Sequence, residues 1–230
     1  MKRMISERYR RNMNMMSEDE VERLAGFSVC VVGCGGLGGH VIELLGRLGI
    51  GSLTVVDGDV FDVTNLNRQL LSDESLIGSS KAMAAVARMA AVNSDVHVTP
   101  VQEFMTEANC VEIIRGHDAV VDALDDMKPR RILEAGCAAQ GIPLIHGAIG
   151  GWYAQICTIM PGDGVFSKIY PEGTGKGIEA ELGNPSFTPA LTASIQVSEV
   201  LKVLLGRGDI LRNKLLTIDL LNNEYDLFEL

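Results

Sequence analysis

The stretch VCVVGCGGLGGHVIELL, Val29 to Leu45, constrains the fold more than any other. A short unbroken apolar run enters a glycine cluster and leaves it as an amphipathic helical pattern. An apolar run of this kind reads as a strand buried on both faces, which is the habit of parallel sheets covered by helices. Gly33-x-Gly35-x-x-Gly38 then sits where a strand turns into a helix, and Asp57 closes the next apolar run about twenty residues on. Glycine lets a backbone approach a phosphate, and a helix N-terminus offers free N–H groups and a positive dipole end. A terminal carboxylate such as Asp57 accepts hydrogen bonds from ribose hydroxyls. The loop therefore predicts a nucleotide site, but NAD and ATP both satisfy it, and glycines used only for a tight turn produce the same spelling.

The alternation continues down the chain. Strands are predicted at Ser28–Val32, Leu53–Val56, Val96–Val101, Ala119–Val121, Pro143–His146 and Ala154–Met160. Helices are predicted at Leu37–Leu48, Ser79–Val92, Glu107–Arg115, from Pro129 to about Gln140, and at Pro189–Leu205. The tail LLTIDLLNNEYDLFEL reads as a hairpin turning at Asn222-Asn223. The predicted class is α/β: a Rossmann-like, doubly wound, mainly parallel sheet with a C-terminal antiparallel hairpin. Residues 1–25 read as an N-terminal helical arm, with Ser17-Glu18-Asp19-Glu20 as a capped helix start, and 26–230 as a single ATP-binding domain. Within it, 161–189 is crowded with Gly and Pro and too long for a passive loop, so it is a candidate lid or partner-binding segment.

Composition excludes several classes. A formal net charge of −10 argues against a nucleic-acid partner, which needs a positive field. No apolar run approaches the ~18 residues of a membrane helix, and no apolar segment follows the basic N-terminus, so a cytoplasmic protein is expected. The five cysteines, Cys30, Cys34, Cys110, Cys137 and Cys157, form no C-x-x-C pair. They are read as buried thiols, and no structural zinc is expected.

The segment after Asp57 favours ATP. Asp57-Gly58-Asp59 leads into Asn65-Leu66-Asn67-Arg68-Gln69, and Lys81 opens the following helix. Arg is a planar fork for phosphate oxygens and Lys a point charge, so the set suits a triphosphate better than a nicotinamide. The candidate nucleotide-binding residues are Gly33, Gly35, Gly36, Gly38, Asp57, Asp59, Asn65, Arg68, Gln69 and Lys81. Downstream, Asp122-Ala-Leu-Asp125-Asp126 ends the apolar run AVV, at the sheet edge where α/β ligands bind. Hard carboxylate oxygens there suit a Mg²⁺ that accompanies phosphates. Four scattered histidines, His40, His97, His117 and His146, are read as structural.

Arg8-Tyr9-Arg10-Arg11, the GCGGLG loop, TVVDGD, NLNRQ, Lys81 and DALDD occur in the order seen in the ThiF/MoeB/HesA family, bacterial relatives of ubiquitin-activating enzymes, which the chain resembles over about residues 8–220. The resemblance implies Mg-ATP-dependent adenylation of the C-terminal glycine of a small ubiquitin-like sulfur carrier ending Gly-Gly. It implies a homodimer in which Arg11 reaches the neighbouring subunit's phosphates, with Arg68 and Lys81 also catalytic and Asp125 holding Mg²⁺. The chain lacks the paired C-x-x-C zinc ligands of many members and has no cysteine in 161–189, which puts a covalent cysteine step in doubt; Asp126 stands where asparagine is commoner. An NAD-dependent oxidoreductase, a tRNA-modifying dehydratase of the same superfamily and an inactive heterodimer partner are the rival readings.

Overall fold

The computed structural model describes residues 6–170 and 179–230. A 3-10 helix (Glu7–Asn12) precedes α1 (Glu18–Leu24), whose N-terminus is capped at Ser17 as predicted, and the cap is a reciprocal box: the Ser17 hydroxyl accepts from the Glu20 amide and the Glu20 carboxylate accepts from the Ser17 amide. The repeating units follow: β1 (Ser28–Val32), α2 (Gly36–Leu48), β2 (Ser52–Val56), α3 (Lys81–Val92), β3 (His97–Val101), α4 (Cys110–Ile114), β4 (Ala119–Asp122) and α5 (Met127–Gln140). Then come β5 (Leu144–Gly150), β6 (Tyr153–Ile159), the short α6 (Phe166–Ile169) and α7 (Glu179–Leu182), the long α8 (Phe187–Leu205), β7 (Lys214–Asp219) and β8 (Glu224–Glu229).

Among the described residues the strands form one eight-stranded sheet in the order β3-β2-β1-β4-β5-β6-β7-β8. The first five run parallel, and β5 through β8 are antiparallel, so the antiparallel part is larger than the terminal hairpin predicted. The chain leaves β1 toward β2 on one side and later arrives at β4 on the other. That reversal opens a crevice beyond the carboxyl ends of β1 and β4, where ligands bind in such sheets.

Both faces of the central strands β1 and β4 are covered, as their unbroken apolar runs required, whereas β8 at the sheet edge is exposed along its whole length. Val29 and Val31 pack with Val41, Ile42 and Leu45 of α2 and with Ala193, Val197 and Val200 of α8; Cys30 and Val32 face Ile114, Leu133 and Phe166. The fully buried Val41, Ile42 and Leu45 each contribute about 1.5–3 kcal/mol, which is what fixes the start of α2 against the sheet. The arm is not detached: Met16, Val21 and Leu24 are buried in the same cluster.

Two expectations are corrected. The span 161–189 is not loop throughout, since α6, α7 and the first turn of α8 lie in it; its residues 171–178 fall outside the described residues. Helix α8 starts at Phe187, two residues before Pro189, because a first-turn residue has no helical N–H bond to lose.

Candidate active site

The crevice is an open cleft at the carboxyl ends of β1, β2 and β4. Gly33 leaves β1 at φ 99°, and its amide donates to the Val56 carbonyl at 2.8 Å; a side chain there would collide with the Ala123 carbonyl oxygen at 2.5 Å. Gly35 caps α2 with no side-chain hydrogen bond, so the first N–H groups of that 13-residue helix face the cleft without a partner from a capping side chain. Gly35 and Gly36 are walled only by the Gln69 and Arg68 side chains, 3.6 and 3.4 Å from where a Cβ would stand. Gly38 differs. A Cβ at Gly38 would lie 1.7 Å from the Gly33 carbonyl oxygen, and the residue does not line the cleft. It lets α2 close onto the loop.

The Asp57 carboxylate lines the cleft and also holds the loop, accepting from the Cys34 amide at 2.8 Å and the Asp59 amide at 2.9 Å. Lys81, almost fully buried, places Nζ 3.0 Å from Asp59 Oδ2 on the cleft wall. Arg68 stands over Gly36 with Nη1 donating to the Thr64 carbonyl and to Asn67 Oδ1, at 3.0 and 2.9 Å. Gln69 is buried beside Gly35, and its Oε1 has no partner among the described residues. Asn65 does not line the cleft. Its Oδ1 accepts from the Asp62 amide at 3.0 Å and its carbonyl accepts from the Arg68 and Gln69 amides, so it shapes the turn that presents them.

The three carboxylates of DALDD have three different tasks. Asp122 is fully buried and accepts from the Leu124 amide at 2.9 Å and from His146 Nδ1 at 2.7 Å. Asp126 is the N-cap of α5, accepting from the Lys128 amide at 2.9 Å. Only Asp125 is exposed and lines the cleft. Arg11 is exposed on the 3-10 turn and does not line its own chain's cleft.

Other cleft residues were not singled out from the sequence. Arg130 on α5 is 4% exposed; its guanidinium donates to the Leu124 carbonyl and approaches Asp122 at 3.4 Å. Glu103, Phe104 and Asn184 complete the wall, with Phe104 packed where Gly58 has no side chain. Behind it, His146 Nε2 lies 3.1 Å from the Tyr170 hydroxyl, which also receives the Gln155 amide. Burial lowers the His146 pKa despite Asp122 and pushes Tyr170 up to about 12, so both stay neutral near pH 7. Trp152, in the β5–β6 turn, is half-exposed and rests on Phe187 at 4.7 Å between ring centroids.

All five cysteines are buried and free, and burial raises every thiol pKa; at Cys34 the neighbouring Asp57 charge adds to the shift.

The architecture is shared with solved structures. Escherichia coli MccB with ATP superposes with a TM-score of 0.83 at 20% identity, covering 98% of this chain and 71% of that one. E. coli tRNA N6-threonylcarbamoyladenosine dehydratase, in complex with ATP, gives 0.74 at 26% identity, over 89% and 98%. In sequence, the SAMP-activating enzyme E1 of Haloferax volcanii is 35% identical over 96% of this chain and 83% of its own. The sulfur carrier protein adenylyltransferase of Thermus thermophilus is 35% identical over 95% and 85%, and the molybdopterin-synthase adenylyltransferase of E. coli 30% over 90% and 84%. The ThiF family model matches residues 9–230, and the chain therefore belongs to the ThiF family.

Proposed function

We propose that this chain is an ATP-dependent adenylyltransferase that activates the C-terminal glycine of a ubiquitin-like sulfur carrier ending Gly-Gly. One observation carries the reading: a helix N-terminus without a capping side chain, two glycines walled only by side chains, Arg68 and buried Lys81 converge on one cleft. That arrangement suits the polyphosphate of ATP. The names of the sequence relatives supply the acyl partner by likeness.

A carboxylate is a poor acyl donor because oxide is a poor leaving group. Attack of the carrier's terminal carboxylate on the α-phosphorus of ATP forms an acyl-adenylate and expels pyrophosphate. Gly33, Gly35 and Gly36 let the phosphates approach α2, and Asp57 accepts from the ribose. Arg68 and Lys81 stabilise charge developing on the pyrophosphate. The nucleophile is already an anion, so no general base is needed. Asp125, exposed and without an ion pair among the described residues, is the group that would hold Mg²⁺, which when bound neutralises phosphate charge. Asp59 holds Lys81 in place and Gln69 supplies an acceptor. Gly38 and Asn65 act one step back, through the loop and the turn.

Arg11 lies outside its own cleft, which supports the reading that it serves the neighbouring subunit of a homodimer. The arm, 1–25, then belongs functionally to the partner's site, and 26–230 is the adenylation domain. Among the described residues no helix is long and apolar enough to cross a membrane, which supports a cytoplasmic assignment. The test is ATP–pyrophosphate exchange with a panel of carriers ending Gly-Gly. Exchange that requires a carrier, and is lost when its last glycine is deleted, is the expected result. No exchange with any carrier would overturn the reading and favour a dehydratase acting on a modified base.

A further inference from the structure

Asn184, in the turn between α7 and α8, lines the nucleotide cleft, and its side-chain Oδ1 is buried with no hydrogen-bond partner among the described residues. A buried acceptor left unpaired is costly, so such an atom marks the place of an absent donor. The residue is held from both sides. Its carbonyl accepts from Asn67 Nδ2 at 3.0 Å, and Asn67 Oδ1 in turn accepts from Arg68. The preceding Gly183 carbonyl accepts from the Gly151 amide at 2.7 Å, and the Thr188 hydroxyl donates to the Gly151 carbonyl at 2.7 Å, which ties the turn to the β5–β6 hairpin.

The chemistry of the missing donor follows from the neighbours. Through Asn67 the residue is linked to Arg68, the side chain standing over Gly36 at the α2 N-terminus. An ionised phosphate there has no hydrogen to donate, and its oxygens repel an amide oxygen. On the reading above the ribose hydroxyls go to Asp57, and Asn184 is tied through Asn67 to Arg68 at the phosphate end of the cleft, so a peptide backbone N–H arriving beside the phosphates is the donor that fits. We propose that Asn184 accepts a hydrogen bond from the backbone N–H of the carrier's last residue and so positions its carboxylate for attack. The proposal rests on the adenylation reading above.

The test compares wild type with Asn184→Ala in carrier-dependent exchange. Two carriers are used: one ending Gly-Gly, and its semisynthetic twin whose last residue is N-methylglycine. Loss of one hydrogen bond in a desolvated site is expected to raise the KM for the normal carrier about tenfold in Asn184→Ala. ATP affinity without carrier and the melting temperature stay unchanged. N-methylation raises the wild-type KM about tenfold but adds less than about twofold in Asn184→Ala, because that variant has already lost the bond. An unchanged carrier KM in Asn184→Ala, or full methylation sensitivity in that variant, overturns the proposal, as does weakened ATP binding in the absence of carrier. A wild type that shows no exchange with any carrier overturns the adenylation reading itself, a failure seen before any variant is made, and this proposal falls with it.

Discussion

Two glycines in the first turn of α2, Gly36 and Gly38, should fail in opposite ways when replaced by alanine. At Gly38 a methyl carbon would sit 1.7 Å from the Gly33 carbonyl oxygen, roughly 1.5 Å inside normal contact, with backbone as the obstacle. Relief requires α2 to back away from the loop, which loosens the packing of Val41, Ile42 and Leu45 against β1. Overpacking typically costs about 1–3 kcal/mol, and a backbone clash of this depth belongs at the upper end. Taking about 3 kcal/mol, and about 2–4 °C per kcal/mol for a chain of this length, Gly38→Ala lowers Tm by about 6–12 °C. At Gly36 the methyl meets only the Arg68 side chain, Cγ at 3.4 Å, Cδ at 3.6 Å and Nε at 3.7 Å, which is ordinary van der Waals contact with no backbone in the way, so Gly36→Ala keeps Tm within about 2 °C. Its methyl, however, enters the cleft beside Arg68, and ATP affinity drops by at least about tenfold. Scanning calorimetry and ATP titration on both variants decide the matter. A Gly38→Ala protein that melts like wild type, or a Gly36→Ala protein that binds ATP normally, would refute the division of labour drawn here.

Arg68→Ala and Asp125→Ala each lower carrier-dependent exchange by at least about 10²-fold, with Tm within about 4 °C because neither side chain is part of the core; turnover like wild type in either removes that residue from the mechanism. His146 is held neutral by burial among Asp122, Arg130 and Tyr170, with its pKa below the ordinary 6.5. The unfolded chain therefore binds the extra proton first. Stability is full above pH 6.5, falls as pH drops below it, and stops falling once the folded imidazole protonates. His40, whose pKa burial also lowers, contributes in the same direction. Urea unfolding between pH 7.5 and pH 5, with an acid slope flattened but not abolished in His146→Gln, is the expected outcome; identical slopes would remove His146 from the account.

Much of the scaffold was legible because it repeats. Strand β1 begins at Ser28 and ends at Val32 as read, since the apolar run and the first glycine mark both ends. The start of α3 moved to Lys81 because Ser80 caps it, its hydroxyl accepting from the Met83 amide. Helices α6 and α7 were unreadable: four residues each is too short for a 3.6-residue period to show. In the site, NLNRQ and Lys81 stood out by residue type. Arg130 did not, because an arginine in a first helical turn is spelled the same whether it faces water or, as here, a buried aspartate. Gly38 reads as a phosphate contact in the sequence because the motif records only that no side chain fits, not what fills the space. Asn184 carried no periodic signal, and its meaning lies in an unpaired atom that only packing reveals.

The thiols show how far the structure narrows the chemistry beyond the glycine loop. A carrier acyl-adenylate is open to attack by an enzyme cysteine, and the nucleophile in that step is the thiolate. None of the five cysteines meets the requirement: each is buried, each has a raised pKa, and each is free rather than in a disulfide. Cys34 is nearest to the loop, but its thiol is shut into the core and the adjacent Asp57 charge opposes ionisation. The residues of 171–178, PEGTGKGI, contain no cysteine either. The expected outcome is that Cys→Ala variants at positions 30, 34, 110, 137 and 157 retain exchange, Cys34 with a loss of less than about tenfold from repacking. Carrier and ATP together should yield no reductant-sensitive conjugate on a non-reducing gel. A conjugate that disappears with one of these variants would show that the fold opens to expose a thiol during turnover, and the acyl-adenylate would then be an intermediate on this chain rather than its final product.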